Sequence, residues 1–404
     1  MQSLVDRLNL VSREMLTGIM PIRAFSREKH EEKRFEGANH DLFSTQLFTN
    51  RTMTFMAPIM MFIMNGISVL IVWVGAHHME DGTMQVGDLT AFITYSMVIV
   101  MGFLMLAMVS IMLPRAGVAA DRIMEVLNTE VILKESESPK DHLLKAEKGG
   151  AEIIFDHVGF AYPGAGEKAL SDISFTAEAG KTTAIIGSTG CGKTSLLKLI
   201  PRFFDVTEGK ITLDGVDIRD LSLKTLRDNL GYVPQKSVLF SGTVDSNIRY
   251  GKEEISDEEM RKAAEIAQAS SFILEHDQKF ERNIAQGGSN VSGGQKQRLS
   301  IARAIAKNPR VFLFDDSFSA LDYKTDLALR KALETELSET TVIIVAQRIA
   351  TILHADKIIV LEDGRVAGIG KHEELLNSCK TYQEIAYSQL SEAELKGKGG
   401  EVHG

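Results

Sequence analysis

The sequence predicts an α-helical membrane domain followed by an α/β domain. Two stretches without a charged side chain, 52–76 and 89–114, predict the membrane part. Each has at least the roughly 20 residues that a helix needs to cross a bilayer. From residue 151 onward, short apolar segments alternate with helical stretches, which is typical of a largely parallel sheet. A glycine-rich motif directly after one of these segments assigns the second domain to the P-loop type.

The two uncharged stretches are predicted to be membrane spans rather than buried helices of a soluble core, because soluble core helices of that length usually show a polar face. The loop 77–88 lacks Lys and Arg, whereas the segment before the first span is rich in them. The positive-inside bias therefore predicts a multi-pass protein of the cell membrane, with its C-terminal domain in the cytoplasm. Residues 26–51 and 115–127 are expected to be helical extensions of the spans.

The chain divides by composition into a membrane domain, a polar linker, an α/β domain and a tail. The net charge of −9 gives no hint of a nucleic-acid partner. Two cysteines, Cys191 and Cys379, form neither a disulfide framework nor a zinc spacing. The predicted strands are EIIFDHV, TTAIIG, VFLFD, TVIIVA and KIIVLE. The predicted boundaries are 1–127 for the partial transmembrane domain, 128–150 for the linker, 151–388 for the α/β domain and 389–404 for the tail, whose end, 397–404, is expected to be disordered.

The motif GSTGCGKT, residues 187–194, matches the P-loop pattern in its required context, with a strand before it and a helix after it. Its glycines let backbone N–H groups turn toward phosphate oxygens. Lys193 is placed to reach the β- and γ-phosphates, and Thr194 to offer its hydroxyl to Mg²⁺. A chance glycine-rich turn is the alternative. The predicted nucleotide-binding residues here are Gly187, Ser188, Thr189, Gly190, Cys191, Gly192, Lys193, Thr194 and Ser195.

Two adjacent carboxylates, Asp315 and Asp316, end the apolar segment VFLFD. Like charges side by side repel each other, so a cation is expected to hold them. Asp315 is predicted to be a direct or second-sphere partner of the Mg²⁺ bound to ATP. Asp316 stands where a base that orients an attacking water would stand. The predicted cofactors are therefore ATP and Mg²⁺.

The segment VSGGQKQRLSIARA, residues 291–304, lies upstream of these carboxylates and is called the signature segment below. Ser292 and Gln295 have the S-x-x-Q form of a capping box, and the N–H groups at such a helix start form an anion site. A purely structural cap is the alternative. Together with the P-loop and the fused spans, this segment resembles the ATP-binding cassette (ABC) transporters of the exporter type. The resemblance implies an ABC ATPase domain with a helical subdomain. It also implies that Ser292, Gly293, Gly294 and Gln295 close over the nucleotide of a second domain.

Other roles come only from the resemblance to exporters. It implies that Tyr162 stacks on adenine, although Tyr162 could simply pack on the sheet edge. It implies that Gln235 contributes to Mg²⁺ binding and catalysis, and that Asp322 belongs to a loop crossing the dimer interface. Segment 18–28 resembles the cytoplasmic coupling helix of exporters.

Several positions depart from the exporter pattern. Asp316 replaces a catalytic glutamate, Gln347 replaces the histidine of the switch loop, Gln286 replaces a glutamate that many exporters have, and Val291 replaces a leucine. Losing one methylene retracts the carboxylate by about 1 Å, and misplacement of that size costs roughly 10²-fold in rate. The hypothesis is that this chain's own site binds ATP but hydrolyses it poorly. A different half-transporter with an intact glutamate would then complete a heterodimer.

The expected function is export of amphipathic compounds, either drugs or lipid-like molecules, by an ATP hydrolase that is active only as a dimer. The alternatives are a regulatory cassette without turnover and a soluble-type ABC ATPase. Membrane lipid is an expected partner.

Methionines recur on one face of each span and suit a pocket for apolar cargo, although ordinary packing is favoured. The resemblance to six-helix half-transporters leads us to expect a truncated N-terminus. The methionines are Met53, Met56, Met60 and Met64 in the first span and Met97, Met101, Met105, Met108 and Met112 in the second.

Overall fold

A computed structural model describes residues 2–144, 149–252, 254–319 and 321–389. The chain forms two compact units, Met1–Glu130 and Val131–Gly404. The predicted disordered end, 397–404, lies outside the described residues.

The described residues of the first unit are almost entirely helical. Both uncharged stretches lie inside long helices, as predicted. In each helix, an apolar segment of 18 residues contains no buried residue. At about 1.5 Å per residue these helices are far longer than the roughly 30 Å hydrocarbon core of a bilayer, so their charged ends form the predicted extensions. The helices are α1 (Gln2–Thr17), α2 (Ile19–Ala24), α3 (Glu28–Glu80) and α4 (Val86–Leu127).

Helix α2 carries a proline in its first turn. Pro21 is tolerated there, since the N–H groups of the first turn have no partner within a helix. Helices α1 and α3 pack around the buried side chains of Val11 and Ala38. Arg7 and Asp41 join the same two helices by an ion pair of 3.0 Å.

The second unit is an α/β domain built on a six-stranded sheet, which confirms the predicted fold class. Five of the observed strands match the five predicted ones. The strands are β1 (Ile153–Phe160), β2 (Leu170–Ala177), β3 (Thr182–Gly187), β4 (Glu208–Leu213), β5 (Val216–Asp217), β6 (Leu230–Val233), β7 (Gly242–Thr243), β8 (Asn283–Ile284), β9 (Val311–Asp315), β10 (Thr341–Val345), β11 (Lys357–Glu362) and β12 (Arg365–Gly370). The α-helices are α5 (Lys193–Leu199), α6 (Leu223–Asp228), α7 (Val244–Arg249), α8 (Asp257–Ile266), α9 (Ser270–Leu274), α10 (Gly293–Ala306), α11 (Tyr323–Glu336), α12 (His372–Ser378) and α13 (Lys380–Gln389).

The six-stranded sheet has the order β12-β11-β3-β10-β9-β6, and only the edge strand β12 is antiparallel to its neighbour. The carboxyl ends of β3, β9 and β10 therefore meet at one edge of the sheet, where ligands bind in open α/β folds. Strand β1 belongs instead to a separate antiparallel sheet, β2-β1-β4-β5. The predicted strand EIIFDHV is therefore present but lies outside the largely parallel sheet, because its backbone pairs with β2 and β4.

Helices α7 to α10 form the predicted helical subdomain beside the parallel sheet. Helix α10 packs against α7 and α8. Its buried residues Leu299 and Ile301 belong to a core that also contains Phe312 and Phe314 of β9. This shared core connects the signature segment to the strand that carries Asp315.

Candidate functional site

The P-loop winds between β3 and α5 in a conformation that requires glycine. Gly190 and Gly192 have φ of +87° and +98°, which side chains rarely adopt. A Cβ on Gly187 would lie 2.2 Å from the carbonyl oxygen of Leu361 and 2.6 Å from Cys191 Sγ. The loop therefore has the tight turn and the bare backbone that a phosphate-binding cradle needs.

Lys193 is the cation of this loop, and it lies folded into the loop. Its Nζ donates to the carbonyl oxygens of Gly187 at 2.7 Å and Ser188 at 2.6 Å, and it lies 3.6 Å from Cys191 Sγ. Its side chain is buried. Because an ammonium ion needs strong acceptors when it is buried, a phosphate group can replace these carbonyl partners.

Thr194 and Asp315 come together across the ends of β3 and β9. Thr194 Oγ1 donates to Asp315 Oδ1 at 2.9 Å. Burial raises the pKa of Asp315, while the hydrogen bond from Thr194 acts in the opposite direction. Burial, together with the charge of Asp315, raises the pKa of the neighbouring Tyr232 to about 12. A hydroxyl and a carboxylate are hard oxygen donors of the kind that Mg²⁺ takes, so these residues fit magnesium.

Asp316 lies at the centre of a hydrogen-bonded cluster with two glutamines. Its Oδ2 accepts from Gln235 Nε2 at 3.2 Å and from Gln347 Nε2 at 2.9 Å. Its backbone has the unusual φ of 47°, and its N–H donates to the carbonyl oxygen of Val345 at 2.9 Å. Burial raises the pKa of this carboxyl, whereas hydrogen bonds, including the one from Gln235, act to lower it. The structure thus brings together the three residues that the sequence predicts to be catalytic.

Residues of the P-loop and the Asp316 cluster line one cleft of about 360 Å³, which is within the usual range of ligand pockets, roughly 300–1,000 Å³. Asp315 is not among the residues that line it. The cleft extends from the P-loop to Asp316, so it holds phosphate-binding groups at one point and a candidate base at another. It is lined by Tyr162, Ala169, Thr189, Gly190, Gly192, Lys193, Thr194, Ser195, Gln235, Asp316, Val345 and Gln347.

Tyr162 lines the cleft and also packs beside the antiparallel sheet that contains β1. Its ring meets Phe160 and Phe204 edge-on, with centroid distances of 4.8 Å and 5.2 Å. Its hydroxyl lies 2.9 Å from Ser195 Oγ. Packing on the sheet and a place in the cleft are therefore compatible, and the role of Tyr162 in adenine stacking stays a prediction.

The signature segment has the predicted capping box. Ser292 N donates to Gln295 Oε1 at 3.1 Å, and Gln295 N donates to Ser292 Oγ at 3.3 Å. Asp322 caps α11 by accepting from Thr325 N at 3.0 Å, and this bond lowers the pKa of Asp322. Ser292, Gly293, Gly294, Gln295 and Asp322 do not line the cleft formed by the described residues. Their predicted roles toward a second domain remain predictions.

Three further residues support this site, although the sequence pattern does not predict a role for them. Tyr232 lies on β6 and bonds the carboxylate of Asp315. Ser317 Oγ donates to the carbonyl oxygen of Val233 at 2.9 Å and so ties the end of β9 to β6. Gln389, on the last helix, contacts the loop that carries Gln347. Only the pairing of β6 with β9 and the docking of α13 bring these residues to the site, and no local motif marks them.

Each of the two units contains residues that match a known protein family. Residues 1–103 match a family model described as the ABC transporter transmembrane region, and residues 170–319 match one described as ABC transporter. The chain is 42% identical over 402 residues to an uncharacterized ABC transporter ATP-binding protein of Mycobacterium bovis, covering 99% of this chain and 68% of the relative. It is 35% identical to an ATP-dependent lipid A-core flippase of Desulfotalea psychrophila, covering 92% of this chain and 63% of that protein.

A solved structure shares the fold of nearly the whole chain. It is a bacterial Atm1-family ABC exporter with ATP bound, with a TM-score of 0.83 and 30% sequence identity. The match covers 97% of this chain and 69% of the exporter chain. The present chain thus spans about two thirds of the length of the proteins that it matches.

Proposed function

The chain belongs to the ABC transporter family, and from this premise we propose that it is the ATP-binding and membrane subunit of an exporter. Members of the family couple ATP hydrolysis to transport, and the transmembrane region places the chain in a membrane. A multi-pass arrangement in the cell membrane, with the ATPase domain in the cytoplasm, is part of the proposal. The match to a transmembrane region argues against the alternative of a soluble-type ABC ATPase.

One contact carries the ATP-binding part of the proposal: Thr194 Oγ1 bonds Asp315 Oδ1 at 2.9 Å, at the point where the P-loop faces the end of β9. Thr194, Asp315 and Gln235 would hold Mg²⁺, which neutralises phosphate charge when it is bound. Lys193 and the N–H groups of the P-loop bind and orient the phosphates. Tyr162 would stack on adenine.

The Asp316 cluster supports the proposal that this chain's own site turns over slowly. The short carboxylate is held by two amide groups and reaches less far into the cleft than a glutamate would. Gln347 can donate to Asp316, but it cannot titrate near neutral pH as a histidine can. A partner half-transporter would supply a stronger base, and the signature segment of this chain would complete the partner's site.

The proposed cargo is amphipathic. The relative named a lipid A-core flippase supports a lipid-like class, and membrane lipid is a proposed partner. Met101 and Met105 of α4 are exposed in the described unit, at 66% and 71% of their surface. Exposed thioethers suit either a cargo surface or packing against lipid and other helices.

Binding of MgATP to the full chain tests the site. Lys193→Ala should raise the Kd for a fluorescent ATP analogue at least tenfold, because it removes the cation nearest the phosphates. Lys224→Ala is the matched control, since Lys224 is exposed on α6. Equal affinities of the two variants would contradict the assignment of the P-loop.

A second experiment tests the heterodimer. The chain is purified from its native membrane, and the co-purifying chains are identified by mass spectrometry. We expect a second half-transporter with a glutamate after its aspartate and a histidine in its switch loop. ATP turnover that is much faster with that partner than by this chain alone would support the proposal. The regulatory alternative, which Asp316 and Gln347 favour, predicts no turnover in the complex either.

A further inference from the structure

Gln389, the last residue of α13, makes two hydrogen bonds to the loop that carries Gln347. Gln389 Oε1 accepts from the N–H of Ile349, and Gln389 Nε2 donates to the carbonyl oxygen of Gln347, each at 2.8 Å. One side-chain amide thus satisfies a donor and an acceptor two residues apart. We call residues 346–349 the switch loop. Gln389 thus holds the backbone of this loop at two points, although it follows Ile349 by 40 residues and Gln347 by 42.

The helix that carries Gln389 is itself firmly docked. The side chains of Tyr382 and Ala386 in α13 are fully buried. Tyr382 is bonded to Nδ1 of His372 at 2.7 Å, which ties α13 to α12. Thr381 Oγ1 donates to Glu362 Oε2 at 2.9 Å, which ties the start of α13 to the end of β11. Gln389 therefore projects from a supported helix, and its two bonds can hold the switch loop in place.

The switch loop leads directly to the candidate base. Gln347 donates from its side chain to Asp316 Oδ2 at 2.9 Å, while its carbonyl oxygen is the group held by Gln389. The Gln347 side chain is exposed, so the structure offers little packing to restrain it. The backbone contact with Gln389 therefore helps to direct the Gln347 amide toward Asp316. It acts beside the bond from Ala346 N–H to the carbonyl oxygen of Ile185 at 3.1 Å and the burial of Ile349.

We propose that Gln389 is a positioning residue for ATP hydrolysis, which acts through the switch loop on Gln347 and Asp316. The C-terminal helix is then part of the ATP site, although it contributes no atom to the cleft. The inference rests on the proposed function where it assigns Asp316 to hydrolysis. The contact between Gln389 and the loop does not depend on that assignment.

Hydrogen exchange of the full chain in nanodiscs tests the contact itself. Gln389→Ala should speed exchange of the Ile349 amide about three- to tenfold, because this N–H loses its hydrogen bond to Gln389 Oε1. Gln389→Glu keeps the acceptor for Ile349 N–H but loses the donor to Gln347, so it should protect the loop only partly. Gln383→Ala is the matched control, because Gln383 Nε2 donates to Leu376 O at 2.7 Å within the same pair of helices.

Single-turnover ATP hydrolysis by the full chain purified without a partner, in which only its own type of site can react, tests the positioning. Gln389→Ala should lower the maximal rate about three- to tenfold with little change in the KM for MgATP, because it misplaces Gln347 without touching the P-loop. In a Gln347→Ala background the same substitution should have no further effect. An equal loss in that background would overturn the proposal.

The two measurements separate this inference from the proposed function. Unchanged exchange in Gln389→Ala would overturn the positioning role, whatever the ATPase result. Faster exchange, together with a rate that responds equally to Gln383→Ala, would also overturn it, since the helix pair would then act only through stability. Failure of Lys193→Ala to weaken ATP binding would refute the proposed function and leave the exchange result intact.

Discussion

Asp316→Glu is expected to raise the ATP turnover of this chain by up to about 10²-fold. In the wild-type chain, Asp316 Oδ2 is held 3.2 Å from Gln235 Nε2 and 2.9 Å from Gln347 Nε2. A glutamate adds one methylene and carries the carboxylate about 1 Å further into the cleft, a displacement that can be worth roughly 10²-fold in rate. This gain corresponds to about 2.7 kcal/mol of transition-state stabilisation.

The assay is steady-state phosphate release by the purified full chain at saturating MgATP. Asp316→Asn keeps the shape but removes the charge, so it defines the background rate. Asp277→Glu makes the same chemical change at an exposed position and is the matched control. Robust turnover by the wild-type chain that Asp316→Glu does not raise would refute the reasoning. A glutamate variant no faster than Asp277→Glu would refute it too.

Three further predictions concern the P-loop, the buried carboxyl and the aromatic ring. Gly192→Ala should lower the free energy of unfolding by about 2–4 kcal/mol in urea titration, because the new Cβ would lie 2.7 Å from Leu170 Cδ2 in addition to the unfavourable φ. Burial raises the pKa of Asp315, so the folded state favours its protonated form and loses stability as pH rises above the ordinary value of about 4. Asp315→Asn should therefore raise the Tm of the nucleotide-free chain at pH 7.5, and this advantage should vanish below about pH 4. Tyr162→Ala should raise the Kd for ATP about 5- to 100-fold, since aromatic stacking on a base contributes roughly 1–3 kcal/mol.

Each of these predictions has a control within the chain. Gly190→Ala shares the positive φ of Gly192 but meets no atom within 4 Å, so its smaller cost measures the backbone alone. Equal costs for the two glycines would contradict the steric argument. Asp315→Asn should also weaken the Mg²⁺-dependent part of ATP binding, and unchanged Mg²⁺ dependence would count against a magnesium role. Tyr162→Phe keeps the ring, so a loss as large as that of Tyr162→Ala would indicate that the hydroxyl contact with Ser195 matters instead.

Local pattern explains why much of this site could be predicted. The P-loop and the capping box of the signature segment are contiguous, and their conformations follow from glycine freedom and from the reach of a serine side chain. The strand VFLFD, β9, is fully buried and is apolar up to its terminal Asp315, so its bounds could be predicted. Hydropathy likewise marks the apolar parts of α3 and α4 because a bilayer demands long uncharged helices.

Long-range pairing explains what could not be predicted. Strand β1 contains an apolar run like the parallel strands, although Asp156 and His157 interrupt it, and it lies in the antiparallel sheet. Buried strands of either sheet have similar composition, so partner choice is not visible in a single segment. Tyr232 reaches Asp315 only because β6 pairs with β9.

The chemical groups of this protein can be read from its sequence alone: a phosphate-binding loop, a pair of carboxylates, a helix-capping signature and two stretches suited to a bilayer. These follow from local spacing, since each motif acts through residues that are close along the chain. The folded chain, in contrast, is needed to see that Gln235, Asp316 and Gln347 share one hydrogen-bonded cluster, and that Gln389 contacts it from the last helix. The physical reason is that a hydrogen bond depends on distance in space, and the side-by-side pairing of β6, β9 and β10 sets that distance independently of separation along the chain.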